Sequence, residues 1–270
     1  MTNGKRYRGR MDGFGRAVGL ALTVALAGCD EFSADPGGAD ARADATLADG
    51  GSGGDAAVPD AGARPTFLGY RSAAVPKNTS LTAELPAGAA AGDVAVAVWV
   101  AAFAANTPPT GWEVPVPQAQ FGVVPTDDAV LWLGSKVVAD PSEKAVFAMN
   151  AMGKQSVTIL LFRGARTKQP LVNPVITVTP GSGGKVSAPG FVTQASSTAA
   201  VYVFASVGMG TFSETPPADV APVVSGTDFA IHRLGRLLQP GDSAPPLAIF
   251  ANLVQPATAA VASFGVAAAP

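Results

Sequence analysis

One cysteine and one histidine are all that this 270-residue chain holds of the two residue types most used for metal binding and nucleophilic chemistry. That scarcity excludes a disulfide framework and zinc sites built on Cys and His. It leaves His232 as the sole histidine base for a Ser or Cys triad, which also needs a third, orienting group, and the sequence has no G-x-S-x-G elbow. Charge is equally sparse, at 14% of residues. Residues 66–270 carry eleven acids and eleven bases, so there is no basic stripe of the kind nucleic acid requires. Long apolar runs are missing too. The longest after the N-terminal region, Val94 to Ala105, has twelve residues, against the roughly 20 needed to span a bilayer as a helix. No 3.6-residue apolar stripe stands out, and prolines recur from Pro76 to Pro189 at intervals that forbid long helices.

What is present begins with a basic start (Lys5, Arg6, Arg8, Arg10, Arg16), an apolar stretch of about a dozen residues and Leu26-Ala27-Gly28-Cys29. Positive region, apolar core and small residues before a cleavage point are the layout of a secretory signal. With a cysteine directly after Leu-Ala-Gly, the segment resembles the lipobox of bacterial lipoproteins. That resemblance implies removal of residues 1–28, acylation of Cys29 and anchoring to a membrane. Each buried methylene of an acyl chain contributes about 0.8 kcal/mol, so two or more chains anchor stably. A transmembrane anchor, an ordinary cleaved signal and a buried structural cysteine are the other readings. The first is too short. The last fits poorly before a polar, Gly-rich segment. The resemblance places the protein in the cell envelope, with the outer membrane favoured over the inner one despite Asp30 at the position after the cysteine.

Residues 29–65 read as a tether. Positions 30–65 hold eight acids against two bases, with Phe32 the only aromatic. Such a stretch buries too little apolar surface to offset the entropy of ordering it, and its flexible span is about 30–35 Å.

From residue 66 the signals are those of strands. Short apolar or alternating runs, such as Val94–Val100, Ala129–Val138, Ala200–Ala205 and Ala259–Val266, are separated by Gly, Pro, Asn and Asp. The expected fold is an all-β, jelly-roll-like sandwich over residues 66–270. It also looks duplicated, with halves 66–170 and 171–270. Asp93–Val100 parallels Thr198–Val203, and each is followed by a Pro-Pro pair, Pro108-Pro109 or Pro216-Pro217. Asp128–Gly134 parallels Asp228–Gly235, and Ile159–Gly164 parallels Val261–Gly265. Val98 and Val201 should then occupy equivalent buried positions. The set Gly92-Asp93, Pro109-Thr110-Gly111-Trp112 and Phe162-Arg163-Gly164 with Pro170 behind it is similar to a β-sandwich module of bacterial surface and phage tail proteins. The second half departs from it, with Ala218-Asp219 in place of Gly-Trp. The resemblance implies extracellular placement and an adhesive or structural role.

The individual residues point the same way. Gly111 suits a positive-φ turn that folds Trp112 back on the sheet, and Arg163 should reach past the strand edge to a carbonyl or carboxylate. His232 alternates so as to share a face with Ala230 and Leu234, a packed position. Asp127-Asp128 and Asp228 lack the spacing of a calcium loop, and Pro180–Val186 lacks the full phosphate-loop pattern, reading instead as a hairpin turn. No cofactor or metal is expected. Trp99 lies on the alanine face of its strand with Ala95, Ala97 and Ala101. Trp132 shares a face with Val130, Gly134 and Lys136. Exposed indoles there would stack a sugar, with Lys136 donating a hydrogen bond; a covering layer would make them core instead. The expected function is noncatalytic surface binding, adhesion or envelope structure. A carbohydrate-binding module using Trp99, Trp132 and Lys136 is the alternative, and a hydrolase the third. The partners implied are a membrane through the lipid and an envelope polymer, glycan or surface protein.

Overall fold

The computed structural model describes residues 64–102, 106–123, 129–180, 184–206, 210–213, 216–225, 229–253 and 257–270. Cys29, the tether, Asp127-Asp128 and Asp228 lie outside these. The described residues contain strands and no helix. A first unit holds β1 (Thr66–Glu84), β2 (Val94–Ala102), β3 (Asn106–Thr107), β4 (Ala119–Phe121), β5 (Ala129–Val137) and β6 (Lys144–Arg163). A second holds β7 (Leu171–Pro180), β8 (Lys185–Ala188), β9 (Phe191–Val192), β10 (Thr198–Ala205) and β11 (Gly210–Ser213). It continues with β12 (Val220–Ser225), β13 (Phe229–Leu238), β14 (Ser243–Ala244), β15 (Leu247–Leu253) and β16 (Thr258–Ala267).

The two units share one topology. The main sheet of the first runs β1-β6-β2-β5-β4, and that of the second runs β7-β16-β10-β13-β12. Each carries a small second sheet, here called a flap. In the second unit it is β8-β15-β11. In the first it is formed by the far ends of β1 and β6, paired from Ser80↔Ala148 to Glu84↔Lys144, with β3 alongside. The long β1 and β6 thus bend from main sheet into flap at register shifts between Val75 and Ser80, as bulges permit. In the second unit separate strands do the same work. Residues 181–183 of the hairpin expected at Pro180–Val186 lie outside the described residues; on either side of them β7 pairs with β16 and β8 with β15, not with each other.

Burial on both faces explains why the central main-sheet strands β2 and β10 read as unbroken apolar runs. The two main sheets pack face to face. Val94, Val96, Val98 and Val100 join Ala199, Val201, Val203 and Ala205 in one central cluster. The opposite faces are covered by the flaps: Phe147 of the first flap packs with Ala95, Ala97, Trp99 and Trp132, and Ile249 of the second with Ala200, Tyr202 and Phe204. The units are stitched at the main-sheet rims. Ala165 bridges Ala268 and Val123 bridges Ala257, and the Arg233 guanidinium lies 5.5 Å from the Phe67 ring centre.

The β2–β5 and β10–β13 pairs match from Val98 and Val201 to Ala102 and Ala205, and a bulge between Ala199 and Val201 offsets them beyond that. Trp99↔Trp132 and Ala102↔Ala129 correspond to Tyr202↔His232 and Ala205↔Phe229. Val98 and Val201 are equivalent and each 1% exposed. The third expected parallel needs correction. Phe162 lies opposite Val94, whereas Phe264 lies opposite Val201, a slide of four residues. The row around each valine explains it. Val98 is flanked by Leu133 and Thr158, Val201 by Arg233 and Phe264. Each row keeps one large apolar neighbour, supplied from opposite sides.

Candidate functional site

Both tryptophans proposed as a stacking platform are core residues. Trp99 is 0% exposed and Trp132 1%. They do lie on the alanine face, but the flap covers that face, so neither presents a surface to a sugar. Phe147 of the flap sits 5.2 Å from Trp99 and 5.9 Å from Trp132, and the two indoles meet edge-on at 6.2 Å. Gly134 is required for this packing. A Cβ there would come within 2.1 Å of the Trp132 ring, so only glycine lets the indole lie along its own strand. His232 is also fully buried, edge-on to Phe204 at 5.9 Å, in the packed position its alternation implied.

The motif residues are structural, in ways their chemistry explains. Arg163 extends past the end of β6 and donates from Nε and Nη2 to the two Asp93 carboxylate oxygens, each at 2.9 Å, and from Nη2 to Gly88 O at 3.1 Å. Asp93 also accepts from the Ala90 N–H. The Arg163 guanidinium foremost, with that N–H, holds the Asp93 carboxyl below its usual range against the opposing effect of burial. The Gly-Asp and Arg-Gly elements are therefore one clamp at the mouth of the first unit. Among the described residues of the second unit no such Asp–Arg clamp recurs. There the Thr193 and Thr198 hydroxyls share a buried hydrogen bond of 2.9 Å at the start of β10. Tyr202, the counterpart of Trp99, donates its hydroxyl to Pro245 O at 2.7 Å, and burial pushes its pKa up to about 12.

A partly open feature lies beside the aromatic core of the first unit. It is a cleft of about 260 Å³ on the outer side of the first unit, whose lining includes Pro109, Thr110, Trp112, Lys136, Glu143 and Val146. Three local effects position its indole. Gly111 takes φ +82°, the turn expected of it. Glu113 and Ser135 exchange backbone hydrogen bonds of 2.8 and 2.9 Å, tying the turn to β5. Trp112 then folds back, half-buried, to meet Trp132 at 6.3 Å and Phe147 at 6.2 Å, inclined by 63° and 56°.

Lys136 pairs with Glu143 at 2.5 Å, with 24% and 22% of the side chains exposed. The neighbouring Lys144 pairs with Glu84 at 2.7 Å, and Arg71 reaches the same carboxylate at 2.5 Å. Lys144 first, then Arg71, lower the Glu84 pKa. The cations at the cleft are thus already met by carboxylates. Arg236 and Asp242 repeat the Lys136–Glu143 pair in the second unit at 3.2 Å. Both pairs span the proline-bearing turn after β5 or β13, so the pair is a brace common to the two units that the cleft also uses.

The structure brings Lys136 to the cleft and seals Trp99 and Trp132 away from it. Trp112 was the tryptophan to follow, and the signal was its position in the Pro109–Gly111 turn rather than inside a strand. Among the described residues no three His, Cys, Asp or Glu side chains gather as a metal site would require. No family model, no curated protein and no solved structure matches the chain.

Proposed function

We propose that the protein is a lipid-anchored component of the cell envelope whose double sandwich binds or braces other envelope material without catalysis. The observation that carries the noncatalytic part is where the chemically capable groups are committed. Among the described residues His232 is buried in a flap core, Asp93, Glu84, Glu143 and Asp242 are each held in an ion pair, and the one acid lining the cleft beside Trp112 is the paired Glu143. A hydrolase working in that cleft would need a carboxylate or base free to exchange protons with substrate. The anchoring part rests on the basic, apolar and Leu-Ala-Gly-Cys order of residues 5–29.

Fractionation tests the anchor. Cys29→Ser should move the protein from the membrane fraction to the soluble or unprocessed pool. Mass spectrometry of the wild type should find acyl chains on Cys29. Unlipidated protein that fractionates with membranes regardless of the substitution would contradict the reading.

A further inference from the structure

We infer that the cleft beside Trp112 is a binding site for an uncharged pyranose ring of a glycan. The inference rests on the noncatalytic reading and names the ligand class.

Comparison of the two units argues first that Trp112 is more than a packing residue. The second unit builds the same main-sheet order with Ala218 where the first has Trp112, since Asp219 bonds Gly235 as Glu113 bonds Ser135. It keeps the turn-bracing ion pair as Arg236–Asp242. It also ties the segment to the adjacent strand, through Gly235 N–H to Asp219 O at 2.6 Å. The fold therefore forms without an indole at this place.

The surroundings then select the ligand. Trp112 is half-buried, and its two aromatic neighbours are inclined to it by 63° and 56°. Neither lies parallel to the indole, and Trp112 itself lines the cleft. Beside it stand oriented polar groups, the Lys136 ammonium, the Glu143 carboxylate and the Thr110 hydroxyl, with the exposed Val146 on the rim. An apolar ring face plus a few convergent donors and acceptors is the chemistry of a small-ligand site, and indole is suited to a ligand apolar on one side and wet on the other. A pyranose meets both demands, with C–H groups on its face and hydroxyls at its edge. Charge decides between sugar types. Lys136 and Lys144 are both engaged by carboxylates, so an anionic sugar would have to displace one of them, whereas a neutral hydroxyl can join the pair. The cleft of about 260 Å³ is below the usual range for drug-sized ligands, which fits one or two rings of a longer chain.

The test uses the full-length protein in a non-glycosidic detergent, titrated calorimetrically with cello-, laminari-, malto- and chitohexaose, and with an alginate hexamer as the anionic control. At least one neutral hexasaccharide should bind, the alginate should not, and bound sugar should shield Trp112 from acrylamide. Trp112→Ala should weaken binding at least tenfold. Because that change could also disturb the flap, Val146→Arg provides a second arm. Val146 is 51% exposed, so the new side chain obstructs the rim without entering the core, and affinity should again fall at least tenfold with the melting temperature unchanged. Absence of neutral-sugar binding, or binding indifferent to both substitutions, overturns the assignment. Peptide or alginate binding at the cleft in place of neutral sugar overturns it equally. Each of those failures leaves the noncatalytic reading standing. Release of reducing ends from any hexasaccharide would instead contradict that reading itself.

Discussion

At the scale of the residue, the side chains that the sequence makes conspicuous serve the fold. Arg163 was legible because a long cation just past a strand end has little to meet except a carbonyl or carboxylate, and it meets one of each. Trp99 and Trp132 were legible as to strand face, and their exposure was not. Alternation assigns a side, but whether a second layer covers that side depends on chain tens of residues away. The Asp93–Arg163 clamp gives a pH prediction. The Asp93 carboxyl is held below its usual pKa in the fold, so the native state binds fewer protons there than the unfolded chain. Its contribution is fully present above the ordinary carboxylate pKa and is lost as the pH falls through the lower native value. Melting scans from pH 7 to 3 should show Asp93→Asn lowering the melting temperature by roughly 2–6 °C at pH 7. The gap from wild type should close toward pH 3. A gap that is constant with pH would show that the carboxylate charge is irrelevant.

At the scale of the element, sequence reading found the main sheets and missed much of the flaps. The central strands β2 and β10 are buried on both faces, and their runs of Val and Ala stand out. The flap stretch of β6, Lys144-Ala-Val-Phe-Ala-Met-Asn150, alternates buried and exposed positions in the fold, but its residues are apolar from Ala145 to Met149, so the period-2 pattern of a half-buried strand is missing from the sequence. The bend in β1 was hidden as well: Pro76 and Lys77 suggest a break, while a bulge carries the strand through. The account of the flap is that it seals the aromatic face of the first unit, with Phe147 as its central contact. Phe147→Ala should cost about 3–5 kcal/mol and raise acrylamide quenching of the folded protein, because Trp99 and Trp132 lose their cover. Unchanged quenching would mean that another element shields them.

At the scale of the whole molecule, the strand order shared by the two units accounts for most of the architecture. Two units of that order, each with its own flap core, bury their valine faces against each other. An isolated unit would expose Val94, Val96, Val98 and Val100 or their counterparts, a contiguous apolar face of the kind monomeric proteins avoid. The order of repeated segments was readable in the sequence, but their registers were not, since short Val and Ala strings fit in several alignments. The four-residue slide of Phe264 relative to Phe162 is the consequence.

The shared central core can be tested by one experiment, because Trp99, Trp112 and Trp132 are the protein's only tryptophans and all lie in the first unit. Indole fluorescence therefore reports that unit alone, while far-ultraviolet circular dichroism reports both. The decisive measurement is denaturant unfolding of Val201→Ala, a cavity placed in the second unit, followed by both signals. The account predicts one transition, with fluorescence and dichroism coincident and both shifted to lower denaturant by a loss of about 1–3 kcal/mol. A fluorescence transition that stays at its wild-type midpoint while the dichroism splits in two would contradict it, and would show that the units fold as independent domains.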